Sequence, residues 1–415
     1  MTDLARRLGT VDATAIGLGS MLGAGVFAVF APAAASAGGW LPLAILLAGF
    51  VAYCNAVASA QLAAAYPSSG GTYVYGRERL GPWWGFVAGW GFVVGWGFVV
   101  GKTASCAAMA LTFASYVAPE YARPVAAAAV VVLVAVNLRG ITRTALVTRI
   151  LLAVVLFLLL LIIGLSIADG PVTGDSPGEP VGPLDVLQAA GLLFFAFAGY
   201  ARIATLGEEV RDPRRTIPRA IVGALGGALV IYLAVGLTLL YTLGAQGLSR
   251  SKAPLADAIS PQWTFLVTIG AAAASLGALL ALVAGVGRTT LAMARERDLP
   301  HWLAAVHPRF RVPHRAELAV GVIVCVLVLT TDLRAVIGFS SFGVLVYYAV
   351  ANASAATQTG TDRLWPRTLN VVGLAGCLLL AGTLPLGSVL VGLAVFAVGL
   401  AGRAIVTRSR GTSET

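Results

Sequence analysis

Charge is what this sequence has least of. Only 11% of its 415 residues are Asp, Glu, Lys or Arg, under half of the roughly 25% carried by a soluble globular chain. Hydrophobic residues make up 58%, and the mean hydropathy is +0.88. A soluble globular domain is thereby excluded and an integral membrane protein implied. Cysteine is also scarce. Cys54, Cys106, Cys325 and Cys377 fall in separate apolar runs, too far apart in sequence for a metal knuckle or a redox pair. The three histidines (His301, His307 and His314) share one polar loop. No histidine and no acid falls at the depth of a membrane centre, which argues against a membrane-embedded enzyme. No zinc, haem or nucleotide site is indicated, so no cofactor is expected.

What is present is a succession of apolar runs. About 20 apolar residues are needed to span a bilayer, and twelve such spans are expected: roughly 12–36, 40–65, 83–117, 123–138, 144–168, 184–209, 217–243, 262–294, 316–331, 333–352, 369–384 and 386–403. The breaks between them are brief, so residues 1–415 form a single transmembrane domain. Arg6 and Arg7 precede the first run, and Ala33–Ala35 resembles a leader cleavage site. The run is long and glycine-rich for a cleaved leader, however, and is read as a span. If both termini are cytoplasmic, 22 of the 28 Lys and Arg residues fall on inner segments and four on outer ones. This positive-inside asymmetry favours an even number of spans in a cytoplasmic membrane. The net charge of +10 is therefore topological. It points to membrane lipid, not nucleic acid, as the surrounding partner. The outer stretch 169–183, DGPVTGDSPGEPVGP, reads as an acidic, flexible connection. Lys102 and Arg202 are the two remaining cations, and both fall inside spans.

Three anomalies share one depth. The first span carries GLGSMLGAG (17–25), the sixth carries FFAFAGYAR (194–202), and Lys102 lies mid-way along the third. Glycine is about 1 kcal/mol worse than alanine within a helix. Packing is the ordinary reason for a GxxxG such as Gly19 and Gly23. Matching interruptions in two halves, however, mark a transporter site built from inverted repeats. Repeat one is expected over about 12–168 and repeat two over about 184–352, with two appended helices over about 369–403. An unwound midplane segment frees backbone groups, which are tolerated only where they line a cavity or are buried in protein. Freed N–H groups suit a carboxylate and freed carbonyls an ammonium. A free amino acid carries both. The third span holds GFVAGWGFVVGWGFVVGK (85–102), whose glycine pairs point in three directions. This span is expected to be central.

IGLGSMLGAGVF (16–27), FFAFAGYARIATLGEEVRDPRRTIPRAI (194–221), LAMARERDLP (291–300) and YPSSGGTYVY (66–75) resemble the amino acid–polyamine–organocation transporters. The form is that of bacterial members similar to cationic amino acid transporters. The resemblance runs from residue 15 to about 300. It implies an all-α, leucine-transporter-like 5+5 inverted-repeat fold with broken helices 1 and 6, and transport by alternating access. It also implies a substrate site. The amides of Gly23, Ala24 and Gly25 would hold the carboxylate, and the carbonyls of Met21, Phe195 and Ala198 the ammonium. Phe195 and Tyr200, beside Gly199, would wall the side-chain pocket. Ala201 stands where arginine-type and polyamine-type members often carry an acid. Val155 stands where related members carry a lysine in place of sodium.

A charge at the bilayer centre costs about 2.5–3.5 kcal/mol on insertion scales, so Lys102 needs a partner. It is expected either to couple transport to protons or to tether helix-end carbonyls. Ser275 is the best hydroxyl for a cation site beside the first helix, or else a packing serine. Arg202, Glu208 and Glu209 are expected at an inner gate, although a dense charged cluster is ordinarily a solvated loop. The expected function is a secondary transporter of neutral or small amino acids, proton-coupled or exchanging. A cationic amino acid, amine or polyamine transporter or exporter is the alternative. A channel-type facilitator would require polar rings and a filter-like segment, and neither is present in the sequence.

Overall fold

The structure is a computed structural model. It describes residues 8–23, 25–65, 87–139, 145–171, 180–204, 210–359 and 363–411. Helices account for nearly all of them. The first span is interrupted, running Thr10–Met21, Gly25–Ala28 and Phe30–Ala37. The second to fifth follow as Leu41–Ala65, Val87–Val117, Ala122–Leu138 and Ala145–Asp169. The sixth is interrupted as well: Pro183–Phe197, a 3-10 turn Ala198–Tyr200, then Ala201–Ala204. The remaining helices are Pro213–Arg250, Thr264–Arg295, His314–Thr330, Leu333–Ala356, Arg367–Thr383 and Leu386–Gly411.

Nine described helical stretches are long and apolar enough to cross a membrane. A tenth follows if Arg367–Thr383 and Leu386–Gly402, bent by 114° at their junction, count as one. Each of the twelve expected spans is present as helix, and the ninth and eleventh fall outside this set because they are short. His314–Thr330 and Arg367–Thr383 have 17 residues each, about 25 Å at 1.5 Å per residue. That is less than the roughly 30 Å of a hydrocarbon core.

The two interrupted spans begin with the same device. Asp12 Oδ2 accepts from the Gly9 N–H at 3.0 Å, and Asp185 Oδ2 accepts from the Gly182 N–H at 2.9 Å. In each case a carboxylate in the first turn satisfies a free donor and faces the positive end of the helix dipole. Asp12 also pairs with Arg149 of the fifth span. Pro213–Arg250 is broken at Gly244, where φ is 64°, a conformation that glycine adopts without cost.

The layering follows from burial. The third span is 83% buried over its apolar window and the fourth only 22%. The third packs against the tenth through backbone: a Cβ on Gly97 would lie 3.1 Å from the Gly343 carbonyl, and one on Gly101 3.2 Å from the Ser340 carbonyl. Leu160, Val131, Leu386 and Val398 stand exposed on the outside. Such side chains suit a hydrocarbon surround and would drive association in water. A parallel bridge joins Leu8 to Val210, and the Arg211 N–H donates to the Leu8 carbonyl at 2.9 Å. The chain before the first span is thus tied to the chain after the sixth.

Candidate functional site

The first helix ends where the Leu22 N–H closes on the Leu18 carbonyl at 2.8 Å, and it restarts at Gly25. Each stop leaves carbonyls, and each start leaves N–H groups, without partners inside the helix. Ala24 lies outside the described residues. Gly23 and Gly25 are also packing residues. A Cβ on Gly23 would lie 2.6 Å from Ala278 Cβ of the eighth span, and one on Gly25 2.9 Å from Ala196 Cα. Both readings of these glycines therefore apply at once: close approach needs them, and they sit where the helix stops.

The break in the sixth span meets the break in the first. A Cβ on Gly199 would come within 2.6 Å of Met21 N and of the Ser20 carbonyl carbon and oxygen, so the two backbones touch there. Met21, Phe195, Ala198 and Tyr200 are all buried around the contact. Two tyrosines bind carbonyls at the breaks. Tyr232 of the seventh span has the Met21 carbonyl at 2.6 Å and the Ala196 carbonyl at 3.0 Å from its hydroxyl. Tyr116 of the third span donates to the Phe27 carbonyl at 3.0 Å, with its ring edge-on to Phe27. Sequence reasoning missed both. The available signal was a lone hydroxyl within an apolar run, which must find a partner when buried.

Lys102 is buried, and its Nζ donates to the Ala198 carbonyl at 3.2 Å. The third span thus delivers a cation to the turn of the sixth, on one of the carbonyls expected to hold a substrate ammonium. Ser275 is fully buried on the eighth span. Its neighbours Ala274 and Ala278 face Gly23, and its own hydroxyl has no hydrogen-bond partner among the described residues. Arg202 is half-buried, and its guanidinium reaches to 3.8 Å from the Cβ position of Gly285 on the eighth span. Glu208 and Glu209 lie outside the described residues. So does the stretch 66–75 expected to oppose them. Glu317 was not anticipated. It is 2% exposed at the start of the ninth span, packed over Gly287, with Oε2 unpartnered among the described residues. No group of three or more His, Cys, Asp or Glu is placed to hold a metal among the described residues.

The amino acid permease family profile matches residues 8–407. The chain belongs to the amino acid permease family. The permease is 58% identical over 417 residues to a protein described as an uncharacterised transporter of Mycobacterium tuberculosis. That match covers 98% of this chain and 93% of the relative. It is 27% identical over 384 residues to cationic amino acid transporter 7, chloroplastic, of Arabidopsis thaliana, over 84% of this chain and 65% of that protein. It is 28% identical over 353 residues to the methylthioribose transporter of Bacillus subtilis, over 77% and 74%. Its fold matches the crystal structure of MhsT in complex with L-phenylalanine with a TM-score of 0.63. This match covers 92% of the permease and 99% of MhsT at 17% identity. The fold is therefore the inverted-repeat, leucine-transporter-like one, and the permease is a multi-pass membrane transporter, not an enzyme.

Proposed function

We propose that the permease carries a zwitterionic amino acid across a cytoplasmic membrane by alternating access, with the substrate held at the facing breaks of the first and sixth spans. The observation that carries this reading is the contact of the two breaks at Gly199, Ser20 and Met21. The substrate carboxylate takes the amides at Gly23, Ala24 and Gly25, and its ammonium the carbonyls of Met21, Phe195 and Ala198. Phe195 and Tyr200 bound the side-chain pocket. With Ala201 in place of an acid there, neutral or small side chains fit this wall better than cationic ones. The arginine-rich end of the bundle faces the cytoplasm, where Arg202, Glu208 and Glu209 form the inner gate.

Lys102 gives the coupling. Its ammonium and the substrate's compete for the Ala198 carbonyl, and two cations about 4 Å apart repel by roughly 4 kcal/mol at an effective dielectric constant of 20. Arrival of the substrate ammonium therefore drives Lys102 to withdraw or to release its proton. Ser275 stands beside this junction as the hydroxyl that takes part in the same coupling.

Counterflow in proteoliposomes tests both parts. Vesicles preloaded with unlabelled amino acid should transiently accumulate external label with a pH-dependent rate. Lys102→Met should flatten that pH profile while the protein still inserts. An unchanged profile in Lys102→Met or Lys102→Ala overturns the coupling role. Equilibration without overshoot by the native protein overturns the carrier reading in favour of a channel.

A further inference from the structure

A polar seam leaves the candidate site at Tyr200. Tyr200 on the sixth span, Tyr348 and Asn352 on the tenth, Asn55 on the second, Asn370 on the eleventh and Gln358 just past the tenth are each at most 1% exposed. Six side-chain atoms of the four amide residues have no hydrogen-bond partner among the described residues: Asn55 Nδ2, Asn352 Oδ1, and both amide atoms of Asn370 and of Gln358. The Tyr200 and Tyr348 hydroxyls interact with each other.

The residues are contiguous. The Tyr200 and Tyr348 rings are 5.2 Å apart. Asn352 Nδ2 donates to the Tyr348 carbonyl at 2.9 Å and to Asn55 Oδ1 at 2.6 Å. The Cys377 thiol of the eleventh span donates to the same Asn55 oxygen at 3.2 Å. Asn352 Oδ1 sits against Gly373, one turn along from Asn370. At the far end, the Gln61 amide donates to the Ala355 carbonyl at 3.1 Å, and the Arg363 guanidinium donates to the carbonyls of Ala355, Ala356 and Gln358. The seam thus runs from the break in the sixth span to the arginine-rich end of the bundle.

Contacts among the described residues alone do not satisfy this arrangement. A bond between the two tyrosine hydroxyls would leave one of their protons without an acceptor, and each amide has two donors and an acceptor to place. Within a membrane bundle, bulk water cannot supply the missing partners. A bound water typically makes about three hydrogen bonds to polar groups left unsatisfied by the protein. The amide donors, amide acceptors and hydroxyls supply both kinds of partner along the whole length. We propose that the seam binds a file of ordered water molecules reaching from Tyr200 to Gln358. The file gives the sixth-span break a hydrogen-bonded connection to the arginine-rich end. It does not depend on what the permease transports.

Hydroxyl-radical footprinting by X-ray radiolysis of the full-length protein in nanodiscs tests the proposal, because radicals form at bound waters and mark the side chains beside them. Tyr348 and Cys377 should be modified at least tenfold faster than Met293 and Tyr232, which are equally buried but away from the seam. Asn370→Leu should slow the modification of Cys377 severalfold. Rates at Tyr348 and Cys377 no greater than at Met293 and Tyr232 in the native protein would show the seam to be dry and overturn the proposal.

Discussion

At the residue scale, the junction of the two broken spans is held by groups whose removal has opposite and readable effects. Gly199 faces backbone: a Cβ there would meet Met21 N and the Ser20 carbonyl within 2.6 Å. Gly199→Ala should therefore destabilise by about 1–3 kcal/mol through overpacking. Gly226 of the seventh span has open space at its Cβ position. Gly226→Ala should stabilise by roughly 0.5–1 kcal/mol through helix propensity alone. Thermal unfolding in detergent, comparing each variant with the native protein, should show the two shifts with opposite signs. Tyr232→Phe removes the hydroxyl that reaches the Met21 and Ala196 carbonyls. It should lower stability by about 0.5–1.5 kcal/mol, the net value of one such bond, and by more if the carbonyls are left dry. The sequence made Lys102 legible because a charge at mid-span must find a partner. Tyr232 was not legible, because nothing along a chain says which carbonyl a buried hydroxyl will meet. Glu317 was not singled out for a related reason: nothing along the chain says that Gly287 opens room for it between two helices.

At the element scale, hydropathy was sufficient to locate the helices, and the glycine runs to locate both interruptions. The observed stops at Met21 and Phe197 fall inside GLGSMLGAG and FFAFAGYAR. The shared Gly-x-x-Asp starts of the first and sixth spans were equally visible as a pattern, but they were not read as a repeat signature. Asp12 caps its helix and pairs with Arg149, whereas Asp185 only caps among the described residues. Asp12→Ala should therefore cost more stability than Asp185→Ala, and the latter should cost on the order of 1 kcal/mol. Backbone hydrogen exchange should follow the interruptions as well. Amides near 22–25 and 198–201 lack the full ladder of intrahelical bonds and should exchange faster than those of the third span near Lys102, which lies deep in packed protein. Equal protection across these segments would show that the breaks impose no local weakness. The ninth and eleventh spans, at 17 residues each, are marginal on length alone but are present where the apolar runs put them.

At the scale of the whole molecule, the permease is a bundle whose outer face is apolar and whose interior holds the polar exceptions. Lys102 lies at the junction, Ser275 beside it, and the asparagine and tyrosine seam leads away from it. Both residues were singled out in the sequence, Lys102 either to couple or to tether and Ser275 either as a cation ligand or as a packing serine. The seam was not, because its members are isolated polar residues on four different spans. Only the packing of the second, sixth, tenth and eleventh spans brings them together. The proposed substrate site makes a demand on the ligand that no single contact does: two opposite charges, one residue backbone apart. Equilibrium binding to the purified permease tests this most directly, by thermal shift across the twenty amino acids and then across analogues of whichever binds. A ligand at 100 times its dissociation constant stabilises the folded state by about 2.7 kcal/mol, enough to move the melting temperature. The account predicts that the parent amino acid raises it, and that the analogue lacking the amino group and the analogue lacking the carboxylate both fail to do so at the same concentration. An analogue missing either group that stabilises as well as the parent would contradict the clamp at the two breaks.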